Sequence, residues 1–228
     1  MPAWFVTGTG TDVGKTFVTQ GLIRHFRREG RAAHALKPIV SGFDPKDTAN
    51  SDPAVLLRAF DRPATEAELD RVSPWRFRAP LSPDMAAARE GKTVPVDAVI
   101  AHSRQAAETC PPNATLFIEG VGGVMVPLDQ HRTVLDWMRA VQLPLIVVAG
   151  SYLGTLSHTL TAVDVLRRSN LTVAAVAVSE TAHSPVPLAD TVAAIAKFIN
   201  PIRVIGLPRV ANPEGGHPAF GDLAEALL

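Results

Sequence analysis

Short runs of consecutive apolar residues alternate along this chain with longer stretches in which apolar positions recur every three or four residues. Six such runs, at 3–7, 33–38, 115–118, 145–149, 172–178 and 204–207, are rich in β-branched and aliphatic side chains. Strands that are apolar at every position are buried on both faces, and strands alternating with helical segments build a mostly parallel sheet with helices on both sides. Between the first two runs, Phe17, Val18, Leu22, Ile23 and Phe26 repeat at helical spacing, and Gly30 supplies a C-terminal cap for a helix over 15–29. The same period predicts helices over 51–60, 96–108, 134–141, 156–169 and 188–199. No repeat of 20 to 50 residues is visible. The stretch 61–95 is interrupted by Pro63, Pro74, Pro80 and Pro83 and reads as an elaborated connection. It is either a surface excursion or a wall of a substrate pocket.

Composition narrows the function classes. With 46% hydrophobic residues in 228 and no linker-like stretch, residues 1–228 read as one domain. The 22 basic and 22 acidic side chains cancel, which leaves no global attraction to nucleic acid or to an anionic membrane. No apolar run approaches the roughly 20 residues of a membrane helix. Residues 1–6 lack the basic start and long apolar core of a signal peptide, so no cleaved leader is expected. Cys110 has no cysteine partner, which fits a reducing, cytoplasmic setting. His102, His131, His158 and His183 lack the close pairing of a zinc site. Trp4, Trp75 and Trp137 are isolated and read as packing residues, not as a stacking row for bases.

Chemistry concentrates where the first strand ends. Gly8-Thr9-Gly10-Thr11-Asp12-Val13-Gly14-Lys15-Thr16 lies between a strand and a helix, the context in which a glycine-rich loop cradles phosphates. Backbone N–H groups and the helix N-terminus face the phosphates, Lys15 supplies charge, and Thr16 offers a hydroxyl to magnesium. The fold class expected is therefore α/β of the P-loop NTPase type. The spacing is unusual: the first glycine of G-x-x-x-x-G-K-T would fall at Thr9, yet the glycines are Gly8 and Gly10. Glu119 ends a buried strand and is followed by Gly120, Val121 and Gly122, where a second magnesium-side carboxylate is expected. Spacing alone assigns Lys37 no role beyond a solvated strand end, and Ser51 or Asp52 reads as an N-cap.

Taken in order, the loop Gly8 to Thr16, Lys37-Pro38, Ser41-Gly42, Ser51-Asp52, Pro80-x-Ser82-Pro83, Glu90-Gly91, Glu119-Gly120-x-Gly122-Gly123 and Leu153-Gly154 resemble the dethiobiotin synthetases. The shifted glycine spacing is the form that family uses. The resemblance implies closure of the ureido ring of dethiobiotin from 7,8-diaminopelargonic acid, CO2 and magnesium ATP. One amine captures CO2 as a carbamate, the carbamate attacks the γ-phosphate, and the second amine closes on the mixed anhydride. Such chemistry needs positive charge around a carbamate and a phosphoryl group in transfer, and no protein nucleophile.

Residue by residue, the resemblance implies Lys37, Lys15 and Thr11 as catalytic groups, and Asp12, Val13, Gly14, Thr16, Phe17 and Gly120 to Gly122 as nucleotide contacts. Thr16, Asp52 and Glu119 match the Mg2+ side, and Ser41 a substrate contact. Gly150, Ser151 and Leu153 precede a helix whose N-terminus would receive the substrate carboxylate across a homodimer interface. By their own pattern they read as a glycine-rich turn. Ser179, Glu180, Pro208, Arg209, Val210 and Glu214 fall on the base side. Here Ser179 stands where the family commonly has asparagine, and a hydroxyl lacks an amide's paired donor and acceptor.

Two other readings share the loop. A P-loop switch ATPase of the chromosome-partitioning type carries an extra lysine at the position of Gly10, and the tail from 219 to 228 has no lysine or arginine for a surface. A cobyrinate amidase relative needs a cysteine glutaminase domain, for which 228 residues leave no room.

Overall fold

The computed structural model describes residues 3–210 and 216–227. The strands among them are β1 (Ala3–Gly8), β2 (Ala32–Leu36), β3 (Ile39–Ser41), β4 (Trp75–Phe77), β5 (Ala114–Glu119), β6 (Leu145–Gly150), β7 (Val173–Ser179) and β8 (Arg203–Leu207). The helices are α1 (Lys15–Arg28), α2 (Asp52–Ala59), α3 (Glu66–Val72), α4 (Pro83–Arg89), α5 (Val96–Thr109), α6 (Val134–Val141), α7 (Thr155–Arg168), α8 (Leu188–Ile199) and α9 (Ala219–Glu225). Six strands form one parallel sheet in the order β2-β5-β1-β6-β7-β8. β1 sits between strands reached by opposite connections, the switch point at which open parallel sheets bind ligands. The P-loop NTPase fold class follows from this topology.

The alternation of side chains explains why the central runs are apolar throughout. Phe5, Ile118 and Val147 enter the core under α5 to α8, whereas their neighbours Val6, Phe117 and Val148 enter the core under α1, α2, α3 and α9. Trp137 is fully buried, edge-on to Phe5 with ring centroids 4.8 Å apart, and its Nε1 donates to Ser103 Oγ at 3.1 Å. Packing is thus its role, as its isolation implied.

One expected boundary needs correction. The strand expected over 33–38 is present as β2 but stops at Leu36, because Pro38 has no N–H for the ladder and the backbone turns at Lys37, whose N–H donates to Val72 O at 3.0 Å. After the turn, β3 pairs with β4 in a separate two-stranded parallel sheet, Ile39 opposite Trp75. The elaborated connection over 61–95 is built of the short elements α3, β4 and α4, and its prolines fall at the junctions. Pro83 is the first residue of α4, where its fixed φ suits the helix and its missing N–H costs nothing.

The helix that carries the glycine-rich loop is anchored by close approach. Gly21, buried on α1, faces Phe220 of α9, and a Cβ there would overlap that ring, which is itself 2% exposed. Gly21→Ala is therefore expected to destabilise the fold by about 1–3 kcal/mol through overpacking. A lower melting temperature, by roughly 2–10 °C, checks this. An increase, as helix propensity alone would give, contradicts the contact. Among the described residues no helix is long and apolar enough to cross a membrane.

Candidate functional site

The loop after β1 closes over the sheet at the switch point. Gly14 is the residue the turn depends on: its φ of +95° is in the left-handed region, and a Cβ would stand 2.7 Å from Ser179 Oγ. α1 starts at Lys15 with no acidic residue in its first turn, leaving its N-terminal N–H groups and dipole directed at the loop. A cleft of about 700 Å³ opens here, lined by Thr11, Asp12, Gly14, Lys15, Thr16, Phe17, Lys37, Ser41, Asp52, Val121 and Gly122. Pro80, Leu81, Ser82 and Pro83 form its opposite wall, so the 61–95 connection does line the pocket.

Register places the acid. Glu119 pairs with Val6 across β5 and β1, so the carboxylate lies beneath the loop with no exposure to solvent. Its Oε1 accepts from Thr16 Oγ1 at 2.7 Å and from Lys37 Nζ at 2.7 Å, while Oε2 has no hydrogen-bond partner among the described residues. Lys37 Nζ also pairs with Asp52 and lies 3.3 Å from Thr16 Oγ1. Lys37 is thus not a solvated strand end: it is 5% exposed, among two carboxylates and a hydroxyl. Asp52 is not an N-cap: it is the first residue of α2, and Ser51 Oγ donates back to Thr48 O at 2.6 Å instead of capping.

Burial and charge pull the titrating groups apart. Burial, reinforced by the Lys37 ammonium, lowers Lys15 to about 8, and its Nζ donates to Gly10 O at 2.8 Å. Burial alone would lower Lys37 too, but Glu119 and Asp52 outweigh it and hold Lys37 above the usual lysine value. Burial would raise Asp52, and the Lys37 ammonium holds it below the usual aspartate value.

A second cleft of about 390 Å³ adjoins the first, sharing Asp12, Gly14 and Phe17 and adding Val13, Ser179, Glu180, Arg209 and Val210. Arg209 N donates to Glu180 Oε2 at 2.9 Å, which ties the end of β8 to the end of β7. Pro208 precedes this wall, and Glu214 lies outside the described residues. Gly120 underlies the loop, its N–H donating to Val6 O at 2.9 Å. Gly150, Ser151 and Leu153 line neither cleft. Ser151 is buried, with its Oγ accepting from Thr181 N at 2.9 Å, and Leu153 is 83% exposed.

One residue gave no signal in the sequence. Ser73 is fully buried, and its hydroxyl donates to Lys37 O at 2.6 Å. With the Lys37 N–H on Val72 O, it clamps the backbone that aims the Lys37 side chain.

Arranged this way, the site can hold a triphosphate on backbone N–H groups and two lysines, with two carboxylates and a hydroxyl beside them for a divalent ion. A family model described as an AAA domain matches residues 3–212. The chain is 46% identical to the ATP-dependent dethiobiotin synthetase BioD of Caulobacter sp. (strain K31), covering 100% of this chain and 95% of that one. It is 44% identical to the enzyme of the same name from Methylobacterium nodulans, covering 97% of each. Among solved structures, chloroplast FtsY from Physcomitrella patens is similar in fold alone, with a TM-score of 0.54 at 14% identity. That likeness covers 100% of this chain and 65% of the FtsY chain. A match of this identity over nearly the whole length of both partners, on a sheet whose switch point carries the phosphate loop, makes the chain a member of the dethiobiotin synthetase family.

Proposed function

We propose that residues 1–228 form one P-loop ligase domain that makes dethiobiotin from 7,8-diaminopelargonic acid, CO2 and ATP, with Lys37 as its central catalytic group. Family membership carries the ATP-dependent ligase activity. The observation that supports the residue roles is the convergence of Lys15, Lys37, Thr16 and Asp52 in the lining of the 700 Å³ cleft, with Glu119 buried behind them on Thr16 and Lys37.

Lys15 and the N–H groups of Asp12 to Phe17 bind and orient the triphosphate. Lys37, supported by Thr11, stabilises the carbamate anion and then the phosphoryl group in transfer, where charge on the equatorial oxygens increases. Ser41, whose Oγ is buried without a hydrogen-bond partner among the described residues, is left to contact the substrate. Thr16, Asp52 and Glu119 would hold Mg2+, and the orphaned Oε2 of Glu119 fits a cation that brings its own charge. Bound there, Mg2+ supplies charge that offsets the phosphate oxygens.

Two copies of the chain complete the substrate site in this reading. Gly150, Ser151 and Leu153 precede α7, whose N-cap Gly154 provides no side-chain cap, so the helix N-terminus is available to a carboxylate from a neighbouring copy. The exposure of Leu153 supports an apolar contact at that surface.

On the base side, Ser179 offers one hydroxyl where paired amide contacts are common, a difference of about 1–3 kcal/mol, or roughly 5- to 150-fold in affinity. Discrimination between ATP and other triphosphates is expected to stay within about that factor, and Ser179→Asn to raise it. Competition by a panel of triphosphates measures it, and an ATP preference of several orders of magnitude in the unmodified chain sinks the idea.

The function is tested by phosphate release from magnesium ATP with and without the diamine and bicarbonate, with dethiobiotin followed by mass spectrometry. Release that needs the diamine and matches dethiobiotin one to one is the expected result. Hydrolysis indifferent to the diamine points instead to a switch ATPase.

A further inference from the structure

We propose that Lys37 is the site's own counter-cation: in the nucleotide-free chain its ammonium occupies the place between Thr16, Asp52 and Glu119 that a divalent ion would take. The inference rests on the reading of those three residues as the metal side and adds that the divalent-cation site is closed until a nucleotide arrives. Three oxygens converge on one nitrogen: Glu119 Oε1 at 2.7 Å, Thr16 Oγ1 at 3.3 Å, and Asp52 in an ion pair. Each of the three residues proposed for the ion therefore already has an oxygen directed at Lys37, and Glu119 Oε2 alone stays without a partner among the described residues. Glu119 is fully buried, so its charge needs a cation at every moment, and Lys37 supplies it when nothing else does.

Lys37 and a divalent ion exclude one another in this arrangement. With Lys15 already buried beside Lys37, adding a divalent ion without moving Lys37 would crowd three cations against two carboxylates. A triphosphate changes the balance by bringing its own negative charge into the cleft that both lysines line. Lys37 then has an anion to move to, and its flexible four-carbon stem permits the move while the Ser73 clamp fixes its backbone. The same exchange releases Lys37 toward Ser41 and the substrate, so arrival of the metal nucleotide switches the lysine from a structural to a catalytic position.

The test uses Mn2+ alone, read by the loss of the free-ion electron paramagnetic resonance signal, on the full chain and on Lys37→Met, a neutral side chain of similar length. Without nucleotide, Lys37→Met is expected to bind one Mn2+ about 10- to 100-fold more tightly than the unmodified chain. Its melting temperature should rise by about 5 to 10 °C at an ion concentration about 100 times the dissociation constant. Adding Glu119→Gln to that variant should abolish both effects. Nucleotide-free binding of one Mn2+ by the unmodified chain as tight as its binding in the presence of ATP overturns the proposal, and this arm holds even where the variant fails to fold. A folded Lys37→Met that binds Mn2+ no better than the unmodified chain also overturns it. A further arm, the unmodified chain with ATP and Mn2+ read against the same ATP and Mn2+ without protein, separates the two levels: protein-dependent binding there with none in the variant leaves the metal-side reading standing and removes only the exchange, whereas binding in neither removes both.

Discussion

Lys37→Ala is expected to lower kcat for dethiobiotin formation by about 10²- to 10³-fold, the usual cost of removing one preorganised donor from a developing charge. The loss falls on kcat more than on the KM for ATP, because Lys15 and the loop N–H groups still hold the triphosphate while the group that meets the carbamate and the moving phosphoryl is gone. A stability cost accompanies it. Glu119 is fully buried and loses the partner 2.7 Å from its Oε1, and an uncompensated buried charge of this kind costs about 3–5 kcal/mol. Single-turnover kinetics on protein shown to be folded by its melting curve checks both parts. An unimpaired kcat, or a loss confined to the KM for ATP, removes Lys37 from the chemistry.

Glu119→Gln is the second large effect, and Asp52→Asn is its internal control. The amide in place of the Glu119 carboxylate keeps the shape but not the charge, so the Lys37 ammonium would retain only Asp52, whose side chain is 47% exposed. Solvent screens the Asp52 pair, whereas the Glu119 pair has side-chain exposures of 7% and 0%. Glu119→Gln is therefore expected to destabilise by about 3–5 kcal/mol and Asp52→Asn by less than about 1 kcal/mol. Both are expected to raise the magnesium concentration needed for half-maximal activity, and Glu119→Gln to lower kcat by about 10²-fold or more. Urea titrations of the two variants rank the stabilities, and equal losses contradict the burial argument.

The parts of the fold that were legible in the sequence are those in which one physical requirement dominates a long run. β1, β5, β6 and β7 are apolar at nearly every position because both faces are covered, and their observed bounds lie within one residue of the runs that predict them. β3 and β4 were invisible because three residues carry no period, and their pairing joins Ile39 to Trp75 across a long separation. Prolines in 61–95 mark the limits of short elements without showing what lies between them, because their effect depends on position: inside a helix Pro83 would break it, at the first position it starts one.

The site divides in the same way. The phosphate loop is a local motif, and Lys15, Thr16 and Glu119 are recognisable from strand, loop and helix context. Lys37 is different, because its buried acid partner lies 82 residues away and only the sheet order brings them together. By pattern it looked like an ordinary strand terminus, and the family resemblance singled it out. Ser73 left no trace, since a serine before a proline is common in turns and its role is a single hydrogen bond to a backbone carbonyl.

The most direct measurement follows an oxygen atom. In the ligase reaction a carbamate oxygen, derived from CO2, attacks the γ-phosphorus, and ring closure by the second amine releases phosphate that retains it. One turnover in unlabelled water with freshly supplied C18O2, diamine and magnesium ATP should yield phosphate carrying one 18O for each dethiobiotin formed. Phosphate without the label, its new oxygen drawn from water, would mean that the cleft hydrolyses ATP and that Lys15 and Lys37 do not act on a carbamate.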